Sequence, residues 1–370
     1  MNAGLYVHVP FCLTRCGYCD FNAYSGLGHL ASRYAHALRA EADLVAPDWI
    51  DDRFVSIFFG GGTPTTLDAK ALGRLLRHFR DRFTVTPEAE VTIEANPDTV
   101  DEQKLARLLE GGFTRLSMGV QSFDAAVLHA LERVHSAKSA RRAYKAARSA
   151  GYANVNLDLI YGAHGEMLES WRRTLEQAID LGPEHLSCYA LTIEPATPLG
   201  RKVAAGMTTA PDPDLQADMY FLACDLLREA GYRHYEVSNW ARPGFECAHN
   251  VLYWERGAYV GLGAGAHSHR AGERSWNIRP PSMYLDAVAR GERPVGGRER
   301  LTAEDEHLEA VFLGLRRADG LPAAALPLDR ADPFLRDGLL LRRNGHLAPT
   351  ERGMLLANEI ALALVGTSIS

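Results

Sequence analysis

The segment PFCLTRCGYCDF (Pro10–Phe21) places Cys12, Cys16 and Cys19 in the spacing C-x₃-C-x₂-C. Three thiolates on so short a loop suit a metal better than a disulfide, because three cysteines cannot pair among themselves. A structural zinc site normally takes a second Cys/His pair roughly 12–20 residues further on, and the two histidines that follow are not arranged in that way. An iron–sulfur cluster is the other solution for soft ligands, and three cysteines leave one iron open to an outside ligand. The loop therefore predicts an iron–sulfur cluster, with zinc or a chance pattern as the alternatives.

Short apolar runs separated by segments of helical period surround this loop and continue along the N-terminal two-thirds of the chain. The predicted strands lie at 4–10, 54–60, 89–97, 114–122, 153–162 and 185–193. The predicted helices lie at 34–45, 68–82, 101–110, 124–131, 137–150, 168–181 and 214–230. Strands that alternate with helices in this way indicate βα units around a parallel sheet. Six such units predict an α/β fold with a partial (β/α)6 barrel, whose chemistry sits at the carboxyl ends of the strands.

Polar or glycine-rich sequence stands at the ends of the predicted strands. GGGTP (60–64) follows the second strand, and Glu94, Gln121 and Asp158 lie in or at the ends of the next three. Glycines let exposed backbone approach a ligand closely, although an ordinary tight turn would explain them too. Glu94 interrupts an apolar strand, where an unpaired carboxylate would be costly; a structural salt bridge is the alternative. Taken in order, these residues predict a binding site on one edge of the sheet.

The pattern changes after about residue 231, and this change divides the chain. We expect a barrel core at 1–235, a segment at 236–298 that completes the core and links onward, and a mainly helical domain at 299–370. In the last, two amphipathic helices (303–317 and 349–364) flank a small hairpin, which has a winged-helix character. The absence of a basic helix argues against DNA binding there.

Composition indicates an ordinary globular protein of the cytoplasm. The 370 residues carry a formal charge of −6, with 46% hydrophobic and 23% charged residues. No basic run indicates nucleic-acid binding, no signal peptide opens the chain, and no window reaches the ~18 apolar residues of a membrane span. Six cysteines in so long a chain do not resemble a secreted disulfide framework. Cys188 and Cys224 fit buried positions in a strand and a helix.

The cysteine spacing, with Tyr18 just before the third cysteine, resembles the radical S-adenosylmethionine superfamily. LYVHVPFC, FFGGGTPT, IEANP, RLSMGVQSF and NLDLIYG resemble the HemN/HemW group of that superfamily, and the match spans nearly the whole chain. The resemblance implies a [4Fe–4S] cluster on Cys12, Cys16 and Cys19, with S-adenosylmethionine on the fourth iron. The residues that it implies for S-adenosylmethionine are Tyr6, Tyr18, Gly61, Gly62, Thr63, Glu94, Gln121, Arg133 and Asp158.

The segment HNVLYW (249–254) matches the H-N-x-x-Y-W motif of the heme chaperones in this group. The resemblance implies heme contacts from His249, Asn250, Tyr253 and Trp254. Histidine is a common axial ligand of heme iron, and tyrosine and tryptophan offer flat aromatic surface to a macrocycle. For an isolated histidine, a buried core position would be the simpler explanation. Other iron ligands close in sequence are Cys247, His267 and His269.

Two features separate this chain from the dehydrogenases of the same group. Those enzymes carry a further cysteine two residues past the third ligand, where this chain has Phe21. They also have an N-terminal extension, for which we expect no room here. The resemblance therefore implies a heme chaperone that delivers heme to acceptor hemoproteins, with membrane-associated respiratory hemoproteins as the implied class. The alternative is an oxygen-independent coproporphyrinogen III dehydrogenase, which decarboxylates propionate side chains by radical chemistry. A radical modification of RNA fits less well, because the composition advertises no basic surface.

Overall fold

The computed structural model describes residues 1–366 and contains the predicted α/β core. Six parallel strands pair in chain order, each with the next. They are β1 (Asn2–Val9), β2 (Arg53–Gly61), β3 (Thr84–Ala95), β4 (Arg115–Gln121), β5 (Val155–Tyr161) and β6 (His185–Ala190). The predicted fold class is confirmed, and β3 begins five residues before its predicted start.

Helices connect the strands and cover the sheet. They are α1 (Ala31–Val45), α2 (Ala69–Arg82), α3 (Glu102–Glu110), α4 (Ala125–Ala130), α5 (Ala137–Ser149), α6 (Leu168–Leu181), α7 (Pro198–Ala204) and α8 (Pro213–Glu229). In α2, Leu72, Leu75, Leu76 and Phe79 are buried, which is the spacing of one apolar helix face. Asp68 caps that helix by accepting two backbone N–H groups. The sequence did not predict α7.

The segment after α8 extends the sheet at both ends. Its elements are β7 (Arg233–Glu236), β8 (Asn239–Ala241), α9 (Ala248–Trp254), β9 (Ala258–Leu262), β10 (His267–Arg270), β11 (Glu273–Asn277), α10 (Pro281–Ala289) and β12 (Val295–Arg300). The strand order of the sheet is β12-β11-β10-β9-β1-β2-β3-β4-β5-β6-β8-β7. Because β9 pairs in parallel with β1, a seventh parallel strand lies beside the strand that leads into the cysteine loop.

The C-terminal region packs around a hydrophobic cluster of its own, which includes Leu315, Leu347 and Ile360. Its elements are α11 (Ala303–Gly314), β13 (Leu321–Pro322), α12 (Leu328–Arg336), β14 (Leu340–Arg343), β15 (His346–Pro349), α13 (Glu351–Leu355) and α14 (Ala357–Val365). The predicted hairpin is present as β14 and β15. The helix predicted at 349–364 is two helices that meet at Leu356. The division into three domains stays a prediction, and part of the last domain, 367–370, lies outside the described residues.

Among residues 1–366, no helix combines the length and the apolar character needed to cross a membrane.

Candidate functional site

A cavity of about 350 Å³ opens at the carboxyl ends of the parallel strands. Its lining joins the cysteine loop to residues in or just after β2, β3, β4 and β5. The predicted site residues that line it are Cys12, Cys16, Tyr18, Cys19, Gly61, Gly62, Thr63, Glu94, Gln121, Arg133 and Asp158. Parallel strands end at the same edge of a sheet, and so residues far apart in sequence meet there. Of the residues predicted for S-adenosylmethionine, Tyr6 alone does not line this cavity.

The cysteine loop holds its three thiols apart. Each thiol belongs to a half-buried residue, and the three sulfurs do not all lie within 4.8 Å of one another. Two sulfurs bound to one zinc ion at about 2.3 Å each could be no more than about 4.6 Å apart. An iron–sulfur cluster places each thiolate on a different iron and so accepts wider spacing. The donor set therefore fits a cluster better than a single zinc ion.

Burial raises the pKa of the Cys12 and Cys19 thiols. Metal ligation requires the thiolate, and so a cluster must supply the positive charge that keeps these groups ionised. The charge of Arg133 lowers the pKa of Cys12 and so opposes the effect of burial in part. The Arg133 guanidinium also donates to the Cys16 sulfur at 3.3 Å. The same guanidinium donates to Asn96 Oδ1 at 2.7 Å and to the Gly119 carbonyl at 3.0 Å. Arg133 thus ties the cysteine loop to the ends of β3 and β4.

The glycine loop after β2 lies against the start of the cysteine loop. The Gly62 N–H donates to the Val9 carbonyl at 2.9 Å, and the Thr63 N–H donates to the Phe11 carbonyl at 2.7 Å. Gly61 has φ of 108°, in the region that favours glycine. A Cβ at this position would lie 2.4 Å from His8 Cε1. Packing against His8 therefore requires glycine at position 61, and the approach of this loop to a ligand stays a prediction.

Two half-buried carboxylates, Glu94 and Asp158, face the cavity. Glu94 accepts the Gly61 N–H at 3.1 Å, and burial, followed by the charge of Asp158, raises its pKa to about 8. Burial also raises the pKa of Asp158, against hydrogen bonds from Ser117 at 3.0 Å and Asn156 at 2.9 Å. Within residues 1–366 neither carboxylate forms an ion pair, and no described residue supports the salt-bridge explanation of Glu94. A cationic group of a ligand beside either residue would lower its pKa and favour the charged carboxylate.

Gln121 ends β4 with φ of 64° and is buried. A non-glycine residue in the left-handed region is uncommon, and such strain collects at functional sites. The backbone turn directs Gln121 into the cavity lining with Gly119 and Arg133. This conformation is not visible in the sequence.

A smaller cavity of about 190 Å³ lies deeper in the barrel. It shares Glu94 and Asp158 with the first and is also lined by Tyr6, Asn250 and Tyr253. Tyr6 donates its hydroxyl proton to, or accepts a proton from, His8 Nδ1 at 3.1 Å. Tyr6 therefore lines the deeper cavity and not the cavity at the strand ends, where the other residues predicted for S-adenosylmethionine lie.

His249 is buried among aromatic rings at the base of the barrel. Its Nδ1 lies 2.8 Å from Ser56 Oγ and its Nε2 lies 3.0 Å from Tyr253 Oη. Burial, with the charge of Arg115 second, lowers the pKa of His249 to about 3. Both ring nitrogens have partners, and so ligation of a heme iron would require one of these bonds to break. Heme contacts of His249 stay a prediction.

The HNVLYW helix, α9, divides its predicted heme residues between two sides. His249, Asn250 and Tyr253 line the deep cavity. Trp254 faces the other way, into cavities between the core and the C-terminal region. The structure therefore does not bring the four predicted heme residues together.

Sequence reasoning missed a polar network under the cavity. Asn156 donates to Ser117 Oγ at 2.8 Å and is 2.6 Å from His185 Nδ1. Asn96 bonds both Arg133 and Thr63, and the sequence analysis did not predict this role. The alternation of NLDLIYG was a usable signal, because a period of two places Asn156 on the same strand face as Asp158.

Comparisons with known proteins agree with this geometry. The radical SAM superfamily matches residues 6–178, and the HemN C-terminal domain matches residues 301–356. The heme chaperone HemW of Mycobacterium tuberculosis (strain H37Rv) is 43% identical over 369 residues, which cover 98% of this chain and 95% of the relative. That of Bacillus subtilis (strain 168) is 34% identical, with 98% of each covered. The solved coproporphyrinogen III oxidase (HemN) of Escherichia coli superposes with a TM-score of 0.83 at 27% identity, covering 98% of this chain and 89% of that chain.

The fold, the cysteine-lined cavity and the two domain matches define a radical S-adenosylmethionine protein with a HemN-type C-terminal domain. Within that class, relatives named HemW match at 34–43% identity over nearly the full length. The chain belongs to the HemW family.

Proposed function

We propose that this protein is a heme chaperone that binds a [4Fe–4S] cluster, S-adenosylmethionine and heme and delivers the heme to acceptor hemoproteins. The observation that carries the proposal is the cavity at the strand ends, where three cysteines meet two half-buried carboxylates. Relatives of the same length and family are named heme chaperones.

The residues of this cavity have distinct roles in the proposal. Cys12, Cys16 and Cys19 would each bind one iron of the cluster. Glu94 and Asp158 would face the cationic groups of S-adenosylmethionine, because both line the cavity, are half-buried and have no ion-pair partner among residues 1–366. When bound, the cluster supplies one-electron chemistry and an open iron site. Arg133 would keep the cysteine loop in register with the strand ends through its three hydrogen bonds.

A coproporphyrinogen dehydrogenase is the second candidate, and the superposition on the Escherichia coli enzyme favours it. Against it stands Phe21, whose side chain is 64% exposed at the mouth of the cavity. A phenyl ring cannot supply the additional thiol that the dehydrogenases carry there. The second candidate therefore requires this protein to convert coproporphyrinogen without the additional cysteine that the dehydrogenases have.

The test is an anaerobic heme titration of the reconstituted protein, followed by gel filtration and absorbance. We expect a shifted Soret band, stoichiometric heme, and heme transfer to an apo-hemoprotein added afterwards. A variant with Cys12, Cys16 and Cys19 replaced by alanine is the control that separates heme binding from cluster binding. Absence of heme binding by the wild-type protein, or clear formation of protoporphyrinogen from coproporphyrinogen, would contradict the proposal.

Acceptor hemoproteins in the membrane are the implied class of partner, and the proposal extends to them. An acceptor would receive heme only if it met the protein at the surface that carries the heme. Transfer to membrane vesicles with and without an apo-hemoprotein distinguishes such a partner from the lipid itself.

A further inference from the structure

A cavity of about 600 Å³ lies between the core and the C-terminal region, on the outer side of α9. Trp254, at the end of α9, lines one wall, and His346, at the start of β15, lines another. The volume lies within the range of about 300–1,000 Å³ that is usual for small-molecule sites. We propose that this cavity holds the heme and that His346 is a ligand of its iron; the inference rests on the proposed function.

The hydrogen bond of His346 prepares it for iron. Its Nδ1 lies 3.2 Å from the Asn344 carbonyl oxygen. A carbonyl only accepts, and so in the neutral ring Nδ1 carries the proton and Nε2 carries the lone pair. Among residues 1–366, Nε2 has no hydrogen-bond partner. Histidine ligands of metals usually hold their second nitrogen in this way, which fixes the tautomer and the ring orientation. The bond to iron is then a coordination bond from Nε2, and no proton or electron has to leave.

The walls of the cavity also suit a porphyrin. Trp254 offers an indole face, and Leu321 and Pro322 add apolar surface. Flat aromatic surface packs well against a macrocycle. At this position Trp254 would pack against the porphyrin. It could not do so in the deep cavity, which His249, Asn250 and Tyr253 of the same motif line and Trp254 does not.

Three arginines supply cations for the propionates. Arg256, Arg317 and Arg343 line the cavity together with two carboxylates, those of Glu255 and Asp319. Arg317 lies 3.0 Å from Glu255, and Arg343 lies 3.6 Å from Asp319. Exposed ion pairs of this kind contribute little to stability. Exchange of these carboxylates for propionates would therefore cost little, and the guanidinium fork matches a carboxylate well.

The other histidines near α9 are less suited to iron. Both nitrogens of His249 have partners within the barrel. His269 has Nδ1 at 3.3 Å from the Gly257 carbonyl, and its Nε2 is sealed in the interior. His346 is half-buried and lines the cavity, and Nδ1 is its one ring nitrogen with a hydrogen-bond partner among the described residues. The geometry therefore favours a ligand from the C-terminal domain.

This position separates the heme from the cluster. The cavity at the strand ends and the cavity beside α9 have no lining residue in common. Heme and S-adenosylmethionine would therefore bind at the same time, with the heme close to the surface from which it is delivered.

The experiment is an anaerobic heme titration of the full-length protein with its cluster, read by the Soret band and by electron paramagnetic resonance. The variants are His346→Gly, Arg343→Gln and His249→Asn. His307→Ala is the control, because His307 is exposed on α11 of the same domain. We expect His346→Gly to lose the histidine-ligated spectrum, to weaken heme binding by at least about tenfold, and to recover both with added imidazole. Arg343→Gln should weaken binding without moving the Soret band, and His307→Ala should match the wild type.

The titration of the wild-type protein separates the proposed chaperone function from the inference that His346 binds the heme iron. Heme binding by the wild type with an unchanged spectrum in His346→Gly would overturn this inference and leave the chaperone function standing. Loss of the spectrum in His249→Asn, with His346→Gly unaffected, would also overturn it. No binding by the wild type would overturn the proposed function and the inference together. Imidazole rescue guards against misfolding, because a misfolded variant would not regain the spectrum.

Discussion

Replacement of Gly61 by alanine should destabilise the protein through a single contact in the glycine loop. The new methyl group would lie 2.4 Å from His8 Cε1, and the backbone φ of 108° disfavours any side chain. His8 cannot move away freely, since its ring bonds the Tyr6 hydroxyl at 3.1 Å and the Asn22 carbonyl at 2.9 Å. The clash therefore falls on a ring that is held at both nitrogens.

The size of the effect follows from these contacts. A side chain in the left-handed region costs about 1–2 kcal/mol. Displacement of His8 would break two hydrogen bonds worth about 0.5–1.5 kcal/mol each. Together these give a loss of roughly 2–5 kcal/mol in the free energy of unfolding, by simple addition of the two costs. Because Gly61 also donates its N–H to Glu94, S-adenosylmethionine should bind more weakly as well.

Urea unfolding and calorimetric titration with S-adenosylmethionine measure both effects. Gly26→Ala is the matched control, because Gly26 has φ of 79° but no atom within 4 Å of an added Cβ. Gly26→Ala has only the cost of a side chain on a left-handed backbone. The free energies of unfolding of the two variants should therefore differ by about 1–3 kcal/mol. If Gly61→Ala is no less stable than Gly26→Ala, the contact with His8 does not constrain the loop and the reasoning is refuted.

Three further predictions concern the cavity itself. Burial and the charge of Asp158 raise the pKa of Glu94 from 4.5 to about 8. Between these pH values the folded state binds a proton that the unfolded state has lost. The free energy of unfolding of the cofactor-free protein should therefore fall as pH rises from 4.5 to 8, at up to about 1.4 kcal/mol per pH unit. Glu94→Gln should flatten this slope in urea unfolding at several pH values, and an unchanged slope would contradict the assignment. Cys12→Ala should lose the iron and the visible absorbance of the reconstituted protein, whereas the buried Cys188→Ala should retain both; equal iron in the two would count against the cluster site. Arg133→Lys should weaken S-adenosylmethionine binding by roughly 10- to 150-fold, because one ammonium cannot replace a fork that reaches an amide, a carbonyl and a thiol; calorimetry that finds wild-type affinity would exclude this positioning role.

The local sequence predicted many of the residues that line the cavity but few of the residues that hold this lining in place by hydrogen bonds. The sequence predicted the cysteine loop, the glycine loop and Glu94, because each breaks the pattern of an apolar strand or its turn. Their meeting followed from parallel pairing, which brings strand ends to one edge. The left-handed backbone of Gln121 and the hydrogen bonds of Asn96 to Arg133 and Thr63 were not predicted, since neither feature leaves a mark on the local sequence.

The tertiary structure alone decided what surrounds the HNVLYW helix. The sequence supplied its residues and their resemblance, but a seven-residue helix has no periodicity long enough to tell its inner side from its outer side. Packing fixed that choice: Ser56, on β2, bonds His249 inside the barrel, and Trp254 is left facing the C-terminal domain. The sequence by itself determined the cysteine spacing and the βα alternation, because both depend on neighbours along the chain. Contacts between α9 and strands about 190 residues away depend on the folded sheet, and no local pattern encodes them.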